Sequence, residues 1–205
     1  MFVRTTYATG DPAELDGAVR AMTTEGREQL FGQPGFRGAG LFVDREVGKL
    51  MTGTWWDDEE ALRASAERMG EVRARMLAGF AATVTVDVWE AAVATRPEAA
   101  GEGARFRLIR MDVDPSDADA LVDAYENGAL PKLRAMNGFL GGSLLLDRAG
   151  GRATVGAIYA DQDSLAASRG PVAAVRGEAT SRTRATVRSV EEFEVVMVES
   201  RPPSP

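Results

Sequence analysis

The sequence predicts an α+β fold built from two ferredoxin-like βαββαβ modules, packed together as an intrachain dimeric α+β barrel. An internal repeat, the same order of elements in each copy and a linker without apolar period carry this expectation. Shifting the 205-residue chain by 103 residues sets Asp11-Pro12 on Asp114-Pro115 and Pro34-Gly35-Phe36 on Asn137-Gly138-Phe139. The same shift sets Leu41 on Leu144, Asp44-Arg45 on Asp147-Arg148, Gly53 on Gly156, Asp58 on Asp161 and Leu62 on Leu165. From 11 to 64, 17 of 54 positions are identical without a gap, which marks a duplication. The modules span 1–94 and 105–200. Between them, 95–104 reads as an Ala/Gly/Glu/Pro linker, and 201–205 as a proline-rich disordered tail.

In each copy the elements follow one order. Residues 2–8 and 106–113 are rich in Val, Ile, Phe, Thr and Tyr and read as strands. A helix over 12–31 opens with Asp11 as cap and Pro12 at its first position. Leu15, Ala18, Val19, Met22 and Leu30 recur near a 3.6 period, matched in the second copy by Ala118, Leu121, Val122, Tyr125 and Leu133. Strands at 37–44 and 49–56 flank a short turn and form a hairpin. The run Asp57-Asp58-Glu59-Glu60 opens a second helix, unbroken to about Leu77. In the second copy Gly170-Pro171 is expected to interrupt the matching helix. Phe80–Val93 and Thr183–Val198 supply the last strands. Such a sheet carries both helices on one face, and two of them can pack their bare faces into a barrel whose interior is the expected ligand cavity.

Composition removes several chemistries. There is no cysteine and no histidine, which excludes disulfides, thiolate metal sites, Ser-His-Asp catalysis, His-ligated haem and ordinary zinc sites. No acidic cluster has metal-loop spacing, so neither metal nor cofactor is expected. A net charge of −7 argues against nucleic acid. No apolar run approaches the ~18–20 residues of a membrane span, and no signal peptide is visible. A cytoplasmic protein is expected, monomeric through its internal pseudo-dimer or weakly homodimeric.

Pro34-Gly35-Phe36, the run Gly53-Thr54-Trp55-Trp56-Asp57-Asp58-Glu59-Glu60-Ala61-Leu62 and the ending Val190-Glu191-Glu192-Phe193-Glu194-Val195-Val196 resemble the antibiotic biosynthesis monooxygenase-like dimeric α+β barrels. The resemblance covers nearly the whole chain, twice. It implies fold more strongly than activity. Haem degraders of that family carry a Trp before the second helix, an Asn on the first strand and a His ligand. Trp56 holds the Trp position, Tyr159 replaces it in the second copy, Tyr7 and Arg110 fill the Asn position, and His is absent. The remaining precedent is cofactor-independent oxidation of aromatic or polyketide-like molecules, which needs an apolar pocket, help with deprotonation and donors for an enolate. A small hydrophobic or aromatic molecule is thus the expected partner.

On that resemblance Trp56, Tyr7 and Arg110 are the candidate catalytic residues. Trp55, Tyr159 and Tyr125 are candidates for substrate binding. Each has a plainer reading. Trp55 and Trp56 point to opposite faces of a strand, and both can be core aromatics. Tyr7 and Arg110 can be barrel-mouth residues, and Tyr125 can fill the core. Arg4 and Arg107 lie on the opposite strand face from Tyr7 and Arg110, bordering helices or solvent. The alternatives to an oxygenase are a non-catalytic binder of a small apolar metabolite and a structural member with no ligand. If one copy carries a site, the first is expected to.

Overall fold

The structure is a computed structural model that describes residues 1–95 and 100–201. Residues 96–99 of the expected linker and 202–205 of the expected tail lie outside the described residues. Arg201, at the start of the expected tail, donates its backbone N–H to the Arg37 carbonyl at 2.7 Å. Thr95 and Ala104, at the ends of the linker, are also tied down. Thr95 exchanges hydrogen bonds with the Gly142 backbone, and Ala104 is fully buried.

Among the described residues eight strands and seven α-helices follow the predicted order. The strands are hydrogen-bonded in the sequence β1-β3-β2-β8-β5-β7-β6-β4, which closes on itself as the α+β barrel topology expected. Contacts divide the chain into two compact units, Met1–Trp89 with Val196 onward, and Glu90–Val195. These boundaries fall inside the last strand of each sequence module, so each unit includes the end of the other module's last strand.

In the first unit β1 (Phe2–Gly10) pairs antiparallel with β3 (Lys49–Trp56), and β3 with β2 (Phe36–Asp44). Asp11 caps the chain after β1, its carboxylate accepting from Ala13 N–H, and α1 (Leu15–Ala21) and α2 (Arg27–Phe31) follow. Between these two helices the chain widens into a π-type turn, Met22–Gly26. The hairpin turn needs Gly48, at φ +63°, where a side chain would be strained. Gly10 answers a different demand, since a Cβ there would lie 1.8 Å from the Phe80 carbonyl oxygen.

Asp58 caps α3 (Glu59–Ala64), and Ser65 separates it from α4 (Ala66–Leu77). The second helix of the first copy is therefore broken where the sequence predicts continuity. Helices and sheet bury Ala8, Leu15, Ala18, Leu41, Val43 and Leu50 between them. The first unit also contains the start of β4 (Ala81–Ala94), which runs on into the second unit.

The second unit repeats the pattern: β5 (Arg105–Asp112), α5 (Ala118–Asp123), a π-type turn Ala124–Ala129, α6 (Leu130–Arg134), β6 (Phe139–Asp147), β7 (Arg152–Tyr159), α7 (Gln162–Thr183) and β8 (Thr186–Ser200). α7 runs continuously through Gly170-Pro171, against expectation. Ala167, Gly170 and Pro171 all lie on the exposed face, so the Ala167 carbonyl that Pro171 leaves without a donor is solvated, and proline's fixed φ suits a helix. Tyr125, Leu121, Leu144 and Leu146 are central to the core of this unit. Among the described residues no helix is long and apolar enough to cross a membrane.

Candidate functional site

Side chains alternate across a strand, so β1 presents Arg4, Thr6 and Ala8 to the helices and Val3, Thr5 and Tyr7 to the opposite face. The hydrogen bonds fix which face is which. Arg4 Nη1 donates to Ser65 Oγ at 3.1 Å and Nη2 to the Leu62 carbonyl at 2.6 Å, both beneath the second helical segment. Register then places Thr54 opposite Arg4, Thr52 opposite Thr6 and Trp56 opposite Phe2 on the same helix-covered face.

A cavity of about 60 Å³ opens on this face. A water needs roughly 10–15 Å³ on that measure, so the space takes a group of several atoms. Met22, Leu30, Leu41, Met69, Met76 and Met197 form its apolar wall. Unbranched methionines adapt to irregular guests. Gly26 belongs to the wall as well, since a Cβ there would meet Met76 Sδ at 2.7 Å. The π-type turn thus presents two of its residues, Met22 and Gly26, to the cavity.

Polar groups enter from both sides. Arg4, Thr6, Thr52 and Thr54 come from the sheet and Arg73 from α4. Thr54 is occupied, accepting from Trp56 Nε1 at 3.0 Å and donating to the Arg4 carbonyl. Thr6 and Thr52 make no side-chain hydrogen bond among the described residues, although Thr6 is only 3 % exposed. Burial, and then the nearby charge of Arg73, push the Arg4 guanidinium down to about 10, so it still carries its charge at neutral pH. Burial lowers Arg73 also. Among the described residues neither arginine has a carboxylate partner.

The expected site residues are placed differently. Trp56 is fully buried, edge-on to Phe36 at 5.6 Å and beneath the Arg4 guanidinium at 5.6 Å. It is a core aromatic that backs Arg4, and it does not line the cavity. Tyr7, half-buried, lies on the opposite face of that sheet, so it and Trp56 are not brought together. Trp55 shares the Tyr7 face, where its ring covers Gly53. Arg110, expected to stabilise an anion, is ion-paired with Glu191 on β8.

Tyr159, fully buried, packs edge-on against Phe139 and under Arg107, and Tyr125 fills the core of the second unit. The Tyr125 hydroxyl is buried without a partner among the described residues, and burial and the nearby Tyr159 raise its pKa. A Cβ at Gly142 would approach that hydroxyl to 2.9 Å. Among the described residues no group of three or more Asp or Glu side chains gathers as a metal site would require.

The sequence reading set Arg4 on a face bordering helices or solvent but did not take it as a site residue. The signal was present: Arg4, Leu62 and Ser65 recur as Arg107, Leu165 and Ser168 at the same 103-residue shift, an arginine repeated amid apolar strand residues.

With this geometry in view, the chain can be set beside known proteins. No family model matches it. It is 29 % identical over 205 residues to the uncharacterized protein Rv2557 of Mycobacterium tuberculosis, covering 99 % of this chain and 91 % of that one. It is 28 % identical over 204 residues to Rv2558 of the same organism, covering 99 % and 86 %. Two solved structures named "putative monooxygenase" share its fold. That from Lactobacillus acidophilus has a TM-score of 0.73 at 14 % identity, covering 97 % of this chain and 95 % of its own. That from Fusobacterium nucleatum has 0.75 at 12 %, covering 98 % and 94 %. An anthrone oxidase-like protein superposes with a TM-score of 0.69 at 15 %, covering 97 % and 92 %. The fold is that of the antibiotic biosynthesis monooxygenase-like dimeric α+β barrels.

Proposed function

We propose that the first unit holds a small aromatic or polyketide-like molecule in the cavity beneath its helices and oxidises it with dioxygen without a cofactor. The observation that carries this reading is a methionine-walled cavity lined by Thr6, Thr52, Arg4 and Arg73, where among the described residues the Thr6 and Thr52 hydroxyls make no hydrogen bond and neither arginine has a carboxylate. Such donors favour the enolate or phenolate form of a guest over its neutral form. For an anthrone the step balances: the ring methylene loses two hydrogens, one oxygen atom becomes the new carbonyl, and the other leaves as water. The substrate anion supplies the electrons, and the arginines hold its charge. The monooxygenase names borne by proteins of the same fold agree with this reading.

A specific observation favours a second reading, a binding protein without turnover. Among the described residues no lining side chain is a carboxylate or another ordinary proton acceptor, so water takes the substrate proton.

The test is quinone formation from an anthrone by metal-free protein, followed by absorbance. Met22→Tyr, which copies the second module's Tyr125 into the cavity, is expected to cut the rate at least tenfold, and Tyr7→Phe to leave it unchanged. Loss of rate in Tyr7→Phe alone would move the site to the opposite face of the sheet. No rate above background, with the guest still bound, selects the binding protein.

A further inference from the structure

The two modules hold one arginine in the same way and neutralise it differently. Arg107 repeats Arg4: its Nη1 donates to Ser168 Oγ at 2.8 Å, its Nη2 to the Leu165 carbonyl at 3.0 Å, and its guanidinium lies 5.4 Å from the Tyr159 ring. Arg107 has a further partner, Glu192 directly across from it on β8, whose Oε1 accepts from Nη2 at 2.8 Å. Arg169 holds the other oxygen at 2.6 Å, and these arginines keep Glu192 below the usual carboxylate range, Arg169 foremost. Aligning the buried aromatics Trp89 and Phe193 puts Val88 at the position of Glu192 in the first module.

The surroundings differ in the same sense. Thr6 and Thr52 of the first module correspond to Ile109 and Val155 of the second, and Met22 to Tyr125. The second module has an apolar, tyrosine-filled core around an arginine that already owns a carboxylate. The first has an open space, two threonine hydroxyls without a hydrogen bond and an arginine without a carboxylate among the described residues. A buried cation without an anion is costly, and a ligand that supplies the anion recovers that cost on binding.

We propose that the cavity of the first module binds a small organic carboxylate on an apolar body, its acid group between Arg4 and Arg73, and that Glu192 occupies in the second module the place this group takes in the first. The proposal rests on the cavity being a ligand site, as above, and not on any oxidation there. The apolar body lies against the methionine wall, and Thr6 and Thr52 supply further donors.

Calorimetric titration of the full chain at pH 8 tests it, with sodium benzoate as probe and benzamide as its neutral match in size. One equivalent of benzoate is expected, with benzamide at least about tenfold weaker, the discrimination typical of a hydrogen-bonded charge. Arg4→Met disturbs the helix carbonyl that Arg4 satisfies, so Arg73→Met is the decisive variant. It should weaken benzoate about tenfold, leave benzamide unaffected and leave the thermal midpoint no lower, since it removes a charge that has no carboxylate partner among the described residues. Equal binding of benzoate and benzamide, indifference to Arg73→Met, or no benzoate heat at millimolar concentration overturns the proposal. Charge-selective binding without quinone formation sinks only the oxygenase reading. Quinone formation with charge-blind binding sinks only this one.

Discussion

Arg4 shows how one residue's setting decides its use. The residue is 6 % exposed, and its guanidinium is bonded to neutral oxygens and lowered to about 10 by burial and by Arg73. The sign follows from that direction. Between about 10 and the ordinary arginine value the unfolded chain keeps a proton that the folded chain has lost, so folding stability rises with pH across that window. A bound carboxylate favours the cation and reverses the preference. Benzoate affinity should therefore be flat from pH 7 to 9 and fall by up to about fourfold at pH 10.5, read by titration at each pH. An affinity unchanged at pH 10.5 would show that Arg4 does not carry the interaction. That the sequence reading favoured Trp56 has a physical cause. The family analogy named the Trp, whereas strand alternation left open which of Trp55 and Trp56 faced the helices. Only the bonds from Arg4 to Ser65 and Leu62 settle the face.

At the scale of elements, strands and turns were legible because period-2 runs, Asp-Pro caps and turn glycines are local signals. The second helices were not. Gly170-Pro171 reads as a stop, yet α7 passes through it on the solvent side, while the better helix former Glu59–Leu77 breaks at Ser65. Exposure of the freed carbonyl decides the first case, and a sequence does not state exposure. Gly170 makes the point measurable: a Cβ there meets nothing within 4 Å. Gly170→Ala should raise unfolding stability by about 0.5–1 kcal/mol, the helix-interior difference between these residues, seen as a higher urea midpoint with unchanged slope. A lower midpoint would mean that the helix uses the freedom of Gly170 at this point. The π-type turns Met22–Gly26 and Ala124–Ala129 left no trace in the periodicity, although each sets the residue, Met22 or Tyr125, that leaves or fills space under the helices.

For the molecule as a whole the duplication was plain in the sequence, whereas the candidate site in the first copy was not. The residues of that site were hidden because they are distinguished by what their repeats have become. Thr6, Thr52 and Met22 are ordinary residues until Ile109, Val155 and Tyr125 stand beside them. It follows that Tyr125→Met with Glu192→Ala should restore a second cavity and unpair Arg107. Benzoate stoichiometry should then move from one equivalent per chain toward two in the same titration. A value that stays at one would mean that the second unit closes by some other route.

The carboxylate that answers Arg107 is encoded once, in one half of a gene. In an assembly of two identical chains, any codon change at such a position appears in both halves, and a substitution that silences one pocket silences its twin. Here position 192 can acquire an acid, and position 88 stay apolar, without either constraining the other. A tandem chain of this kind can lose one site by a single inherited change and keep the other under selection, a freedom that a homodimer gains only after its gene has been copied.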